Sequence, residues 1–447
     1  MSRRFYASRA ARGFTLIELM VSLVAGLFVA LAVVALSKEA TTTFHEESRT
    51  ATAEMSLRTA VDRIRNDLQR AAFMGTPNIQ KDPLIAKAPG NPNVPTTFPA
   101  GIKSLASLHV INPSPAKLLP LSVSNGMEPD TLEISGNFTT TDSYVVRVLD
   151  AGGGCGGQRL TLAIDSPAMW RLLGTSTPDA ALEAAFQPVS GLQFIVRVED
   201  DTGHYQFVQT CTGKAAGITG AGLAAAAYVD ISATTPVLTA LQTKTQGGAT
   251  GLGVGRLVIN PVQTIRWEVR PINAAQPRDA PYRTLAPEAG AAEKYDLFRT
   301  YLDAAGTLTT DTELVSEYAV DLKFAFSADL IDLTTDLNRT LTVYGMSDTA
   351  SNAALADDVN IARPHGPERI RSVRFRLSTR SSIADRQVTL VATAPAGNTQ
   401  QGNPTQGGDY PLRYCVLAGG CASAGGYSRV RTVTTEVTLP NQARIFY

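Results

Sequence analysis

Four cysteines and four histidines in 447 residues are too few, and too scattered, for most zinc or iron–sulfur frameworks. Charge of neither sign predominates: 40 Lys and Arg balance 40 Asp and Glu. That excludes the broad basic field of a non-specific polyanion binder and the acidic bias of a solvating tail. No nucleophile elbow, phosphate loop or HExxH pattern occurs, so the sequence points to no enzymatic chemistry and no cofactor. Proline is missing from Phe14 through Thr76, and after Gly13 only Gly26 interrupts that stretch before Gly75. Elsewhere the chain has glycine, proline, threonine and serine in quantity, a mixture suited to strands and turns, and with 44% hydrophobic residues it can bury a core.

The N-terminus is the informative part. Residues 1–13 contain Arg3, Arg4, Arg9 and Arg12 and no acid, and the 23 residues from Phe14 to Leu36 carry one charge, Glu18. At about 1.5 Å per residue that run crosses a hydrocarbon core of roughly 30 Å. The arginines hold the leading end in the cytoplasm and send the bulk of the chain outward. An ordinary signal peptide shares these features, and Ala35-Leu36-Ser37 is a passable cleavage site. Glu18 separates the two readings, because a carboxylate in a spanning helix costs about 2.5–3.5 kcal/mol on insertion scales and must be compensated. A free amine made by cutting after Gly13 would lie about one helical turn away.

The segment RGFTLIELMVSL, Arg12 to Leu23, resembles the leader junction of type IV pilins and of the related pseudopilins of type II secretion. The resemblance implies that a prepilin peptidase cuts after Gly13 and methylates Phe14, and that Glu18 pairs with the Phe14 amine of an adjacent subunit during assembly. Loss of the leader leaves 36 basic against 40 acidic residues, a net charge of −4. Major pilins commonly carry a kinking proline in the apolar run; its absence here fits a minor pilin or pseudopilin.

The proline-free stretch predicts a helix of about sixty residues, roughly 90 Å long, straight or bent at Gly26. In its second half Leu57, Val61, Ile64, Leu68 and Ala71 form an apolar stripe, with Arg58, Asp62, Arg65, Asn66 and Gln69 on the wetter side. Gly75, as a left-handed cap, and Pro77 are expected to end it. The expected organisation is a leader (1–13), a transmembrane half-helix (14–36), an amphipathic half (37–75), an extended Pro/Asn-rich connection (76–127) and a β-rich head (128–447). The expected fold class is α+β, type IV pilin-like: a long N-terminal helix packed on an antiparallel, sheet-rich globular head.

Strand patterns fall at Thr131–Ile134, Ser143–Val148, Arg159–Ile164, Leu192–Val198, Arg256–Ile259, Thr264–Val269, Tyr318–Phe326, Leu341–Tyr344, Val373–Leu377, Gln387–Val391 and Ser428–Leu439. Helical periodicity is poor beyond residue 75 apart from short candidates such as Asp179–Ala185. Gly213–Ala227 and Thr245–Gly255 read as loop insertions. GMEPDTLEI (126–134), PVSGLQFIVRVEDDTG (188–203), ERIRSVRFRLSTRS (368–381) and SRVRTVTTEVTLPN (428–441) are similar, in order, to strands of the PilW-type minor pilins. So is residues 295–329, where a Leu-aromatic-Arg strand precedes an alternating one. That resemblance implies a non-enzymatic subunit of the pilus tip or initiation complex, anchored once in the inner membrane with a periplasmic head and later carried to the cell surface. Its partners would be other minor pilins, the major pilin, the prepilin peptidase, inner-membrane lipid and the assembly platform. A type II secretion pseudopilin, and a tip adhesin or DNA-uptake receptor, are the alternatives.

Cys155, Cys211, Cys415 and Cys421 lie beyond the membrane, and their even number fits two disulfides with three connectivities open. Five residues separate Cys415 from Cys421, which makes that bond easy and leaves Cys155 for Cys211. Asp200 and Asp201, or Asp329, Asp332 and Asp336, lack the glycine-turn spacing of a calcium loop and read as solvated turn residues. Arg369, Arg371, Arg374, Arg376 and Arg380 alternate with apolar residues; a strand face salt-bridged to neighbouring acids is the expectation, ahead of a nucleic-acid contact.

Overall fold

The computed structural model describes residues 15–86, 95, 97–111, 119, 125, 127–220, 226–238, 241, 257–287, 293–331, 339–346, 349–356, 366–384, 399–400, 410–411, 413–417 and 426–442. Helix α1 runs from Leu16 to Gln69 and passes through Gly26 without interruption. The chain falls into two units, Met1–Glu54 and Met55–Tyr447, with the boundary inside this helix.

Within the second unit the apolar stripe does what its spacing predicts. Leu57, Ala60, Val61, Ile64, Leu68 and Ala71 are buried in one cluster with Leu132, Ile134, Ile265, Trp267, Leu297 and Phe324 of the sheets, while Arg58, Asp62, Arg65, Asn66 and Gln69 are exposed. Sequence reasoning missed Asp67, which is buried on the same side. Its Oδ2 accepts from Trp267 Nε1 at 3.1 Å and Arg299 Nε at 2.8 Å, so the charge is paired and hydrogen-bonded.

The helix does not end on a left-handed Gly75. Ala72 (φ 58°) and Met74 (φ 52°) take the left-handed conformation instead. The Ala72 N–H donates to Ser135 O at 2.9 Å and the Asn137 N–H to Phe73 O at 2.9 Å, so sheet contacts hold a backbone that alanine and methionine would not choose alone. A side chain at Gly136 would stand 2.3 Å from Arg70 O; only glycine allows the turn this close to the strand.

Beyond a one-turn helix α2 (Ala100–Lys103), the strands are β1 (Leu108–Ile111), β2 (Thr131–Gly136), β3 (Tyr144–Ala151) and β4 (Gln158–Leu162). Helices α3 (Pro167–Leu173) and α4 (Pro178–Phe186) precede β5 (Ile195–Glu199), β6 (Tyr205–Gln209), β7 (Ala216–Thr219), β8 (Ala226–Ile231) and β9 (Leu257–Arg270). A 3₁₀ helix (Pro277–Leu285) leads to β10 (Asp296–Leu302), β11 (Leu308–Ser316), β12 (Ala319–Ile331) and β13 (Arg339–Val343). Helix α5 (Thr349–Leu355), β14 (Ile370–Arg380), β15 (Thr399–Gln400), β16 (Tyr410–Pro411), β17 (Arg413–Cys415) and β18 (Tyr427–Thr438) complete the described elements.

Every pairing between these described strands is antiparallel. The larger sheet runs β1-β2-β9-β3-β4-β8-β7, with β10–β11 and β5–β6 also attached through β9; the second runs β13-β12-β14-β18-β17. The first half of β9 pairs with β3 and β5 and its second half with β2 and β10. Pro261, which has no N–H to donate, lies where one edge of β9 passes from β3 (through Ile259) to β2 (from Gln263).

Several sequence expectations need correction. The two patterns at 256–259 and 264–269 belong to the single strand β9, and β1, β6, β7 and β8 were not anticipated. The Gly/Ala-rich stretch 213–227 contains β7 and the start of β8 rather than a plain loop, because small residues there pack under α4. Residues 76–127 are more than an extended connection: Ile79, Ile85, Phe98, Ile102 and Leu105 form a core cluster with Ile195, Tyr205, Phe207 and Val262. Ile79, Ile85 and Phe98 each stand alone between two prolines, which leaves little period to detect there. The expected strand 387–391 and the expected insertion 245–255 lie outside the described residues.

Candidate functional site

Gly13 and Phe14, the expected processing residues, lie outside the described residues, and the description begins one residue later. Thr15 is the N-cap of α1: its carbonyl accepts from the Leu19 N–H at 3.1 Å, and its Oγ1 from the Glu18 N–H at 3.3 Å. Glu18 reaches back, its Oε2 accepting from the Thr15 N–H at 2.9 Å and the Thr15 hydroxyl at 3.0 Å. This reciprocal pair is a capping box, T-x-x-E, which satisfies two orphan N–H groups at the helix start and places the carboxylate at the positive end of the helix dipole. Glu18 is thereby presented at the end of the helix that Phe14 precedes.

Below it the helix is uniformly apolar and bare. Leu16, Ile17, Leu19, Met20, Leu23, Phe28 and Val34 are all exposed, and the helix is long and apolar enough to cross a membrane. Ser22 turns its hydroxyl onto the Leu19 carbonyl three residues back, at 2.9 Å, so this polar group does not interrupt the run.

In the head, Cys155 and Cys211 form a disulfide with Cα atoms 5.9 Å apart, joining the β3–β4 turn to the segment after β6. Cys415 is also disulfide-bonded, and Cys421 lies outside the described residues. The arginine-rich strand β14 is compensated: Arg376 pairs with Asp321 at 2.7 Å, Arg371 with Asp329 at 3.6 Å and Arg374 with Glu436 at 3.7 Å. Arg380 lies over the rings of Tyr318 and Tyr414 at 4.9 and 5.7 Å, and burial lowers its pKa. Arg369 is buried. Such a face offers a polyanion little free charge.

The Asp200 carboxylate is used inside its own turn, accepting from the N–H groups of Thr202 and His204 at 2.9 and 3.0 Å. Asp332 and Asp336 lie outside the described residues, among which no group of three His, Cys, Asp or Glu side chains is set to hold a metal ion. Glu133 is shared between His109 Nδ1 at 3.2 Å and Arg266 Nε at 2.9 Å on the outer face of β1, β2 and β9. Burial pushes its carboxyl up, and the hydrogen bond with His109 and the charge of Arg266 outweigh that and hold it below the usual range.

The family model for the prokaryotic N-terminal methylation motif matches residues 8–34, which include Gly13, Phe14, Thr15 and Glu18. No curated protein and no solved structure matches the chain. The chain thus carries a prepilin-type N-terminal methylation motif, and the second half of its long N-terminal helix packs on an antiparallel, sheet-rich head, an α+β architecture of the type IV pilin-like kind.

Proposed function

We propose that this chain is a non-enzymatic minor pilin of the PilW type, cut after Gly13, methylated on Phe14 and built into the tip or initiation complex of a type IV pilus. The observation that carries the reading is the capping box at the head of a bare apolar helix. Before assembly Glu18 is satisfied by its own Thr15. Cutting after Gly13 puts a cationic amine on Phe14, and the Glu18 carboxylate exchanges its local donors for the amine of a neighbouring subunit. Lipid screens that attraction weakly, so one pair sets the register between stacked helices. Methylation leaves the amine charged. On this reading residues 1–13 are the leader, residues 14–36 span the inner membrane and the head projects into the periplasm, with the prepilin peptidase, the other pilins and the assembly platform as partners.

The test is the chemical sequence of the mature chain. Methylated Phe14 as the first residue is expected; a chain retaining Met1, or one starting at Lys38, would overturn the proposal. Deleting the gene should abolish piliation and leave protein secretion intact, whereas a secretion defect with normal pili would assign the chain to a type II system instead.

A further inference from the structure

A lysine and an aspartate meet out of water where the two sheets touch. Lys323, on β12 of the second sheet, and Asp130, immediately before β2 of the larger one, are 9% and 3% exposed. Lys323 Nζ donates to Asp130 Oδ1 at 2.8 Å and has no second hydrogen-bond partner among the described residues. Asp130 Oδ2 accepts from the Phe324 N–H at 3.2 Å, and the Asp130 N–H donates to Leu322 O at 2.7 Å, so the residues on both sides of Lys323 fix the acid in place. Asp321 stands two residues before Lys323, on the same face of β12, and is 1% exposed. Its Oδ2 accepts from Arg376 Nε at 2.7 Å, whereas its Oδ1 is buried with no partner. Two ion pairs are thus held almost without water, at a cost in desolvation. Burial raises the Asp130 pKa against the opposing charge of Lys323, which favours the protonated, electrophilic acid. Two other buried acids meet a lysine on different terms. Lys294 Nζ is shared between Leu285 O and Glu317, with Asp296 at 3.5 Å, and Lys81, bound to Glu368, is partly exposed.

We propose that Lys323 and Asp130 join in an intramolecular amide bond that staples the two sheets of the head together. Within the pair a proton passes from the ammonium to the carboxylate, which removes both buried charges. Lys323 Nζ then attacks Asp130 Cγ. The Cγ–Oδ1 bond breaks, and Oδ1 departs as water with two of the three protons that the ammonium brought. Oδ2 stays as the amide oxygen, polarised by the Phe324 N–H. Asp321 Oδ1 relays the second proton from the nitrogen to the departing oxygen. The balance needs no oxidant, reductant or co-reactant. A neutral amide replaces a buried ion pair, and it closes a loop over a separation of 193 residues, so that a pull parting the sheets meets a covalent bond between β12 and the start of β2.

Peptide mapping of the full, folded chain by mass spectrometry reads the bond. The expected product is a branched peptide joining residues 130 and 323, lighter by one water than its two linear parts. Lys323→Arg should abolish it. Asp130→Asn should still form it, ammonia leaving in place of water and the same amide resulting. Asp321→Asn should slow its appearance after synthesis by about 100-fold or more, while the circular dichroism of the head stays that of the wild type, which separates lost chemistry from lost folding. Residues 130 and 323 recovered only in separate linear peptides from the folded wild type overturn the proposal, as does a branched peptide that survives Lys323→Arg. Linkage in Asp321→Asn at the wild-type rate overturns the relay.

Discussion

Glu18 caps its own helix, and on the proposed reading it has a second task in succession, as the acceptor for another chain's amine. The tasks can be separated by mutation. Glu18→Ala should leave the membrane fraction of the protein unchanged and abolish its entry into sheared pili, measured by immunoblot. Thr15→Val removes the cap hydroxyl alone and should weaken the helix start by about 0.5–2 kcal/mol, slowing assembly without preventing it. Asp296 gives a different single-residue prediction. It is fully buried, its Oδ2 has no hydrogen-bond partner, and burial raises its pKa to about 6 despite the Tyr318 N–H and Lys294. The folded state then holds this proton more tightly than the unfolded chain. Stability from the group is full below about pH 4 and is lost as pH rises through about 6, a change on the order of 2–3 kcal/mol. Urea titrations at pH 4 and pH 7 should show that loss in the wild type and a smaller one in Asp296→Asn.

At the scale of elements, the second half of α1 is the best test of packing. Ile64→Ala, at a fully buried stripe position, should lower head stability by about 2–5 kcal/mol, while Arg58→Ala on the exposed face should stay within about 0.5 kcal/mol, both by denaturant melts. This element was legible because its signal is local: a period of three and four residues and a run without proline. Glu18 was legible as the one charge in the apolar run, whereas its reciprocal bonds to Thr15, three residues away, were not read from the sequence. Asp67 was not, since its partners Trp267 and Arg299 lie 200 and 232 positions away and nothing near it marks it as buried. The strands β7 and β8 were hidden by composition, glycine and alanine giving no alternation to read. The left-handed Ala72 and Met74 were hidden because a strand far along the chain imposes them.

For the head as a whole, the Cys155–Cys211 bond closes a loop over a separation of 56 residues. Replacing both cysteines by serine should cost about 2–4 kcal/mol, seen as a lower urea midpoint that added reductant reproduces in the wild type. The α+β class and the order of the main strands could be read from sequence, but the way they are joined could not, because it depends on β9. That strand is flanked by β3 and β5 in its first half and by β2 and β10 in its second, so the two larger hydrophobic clusters share one backbone. A chain with two such nuclei might be thought able to melt in stages. With a common spine, fraying on either side strips hydrogen bonds from a ribbon that the other side also needs, and the whole head should denature in one calorimetric step.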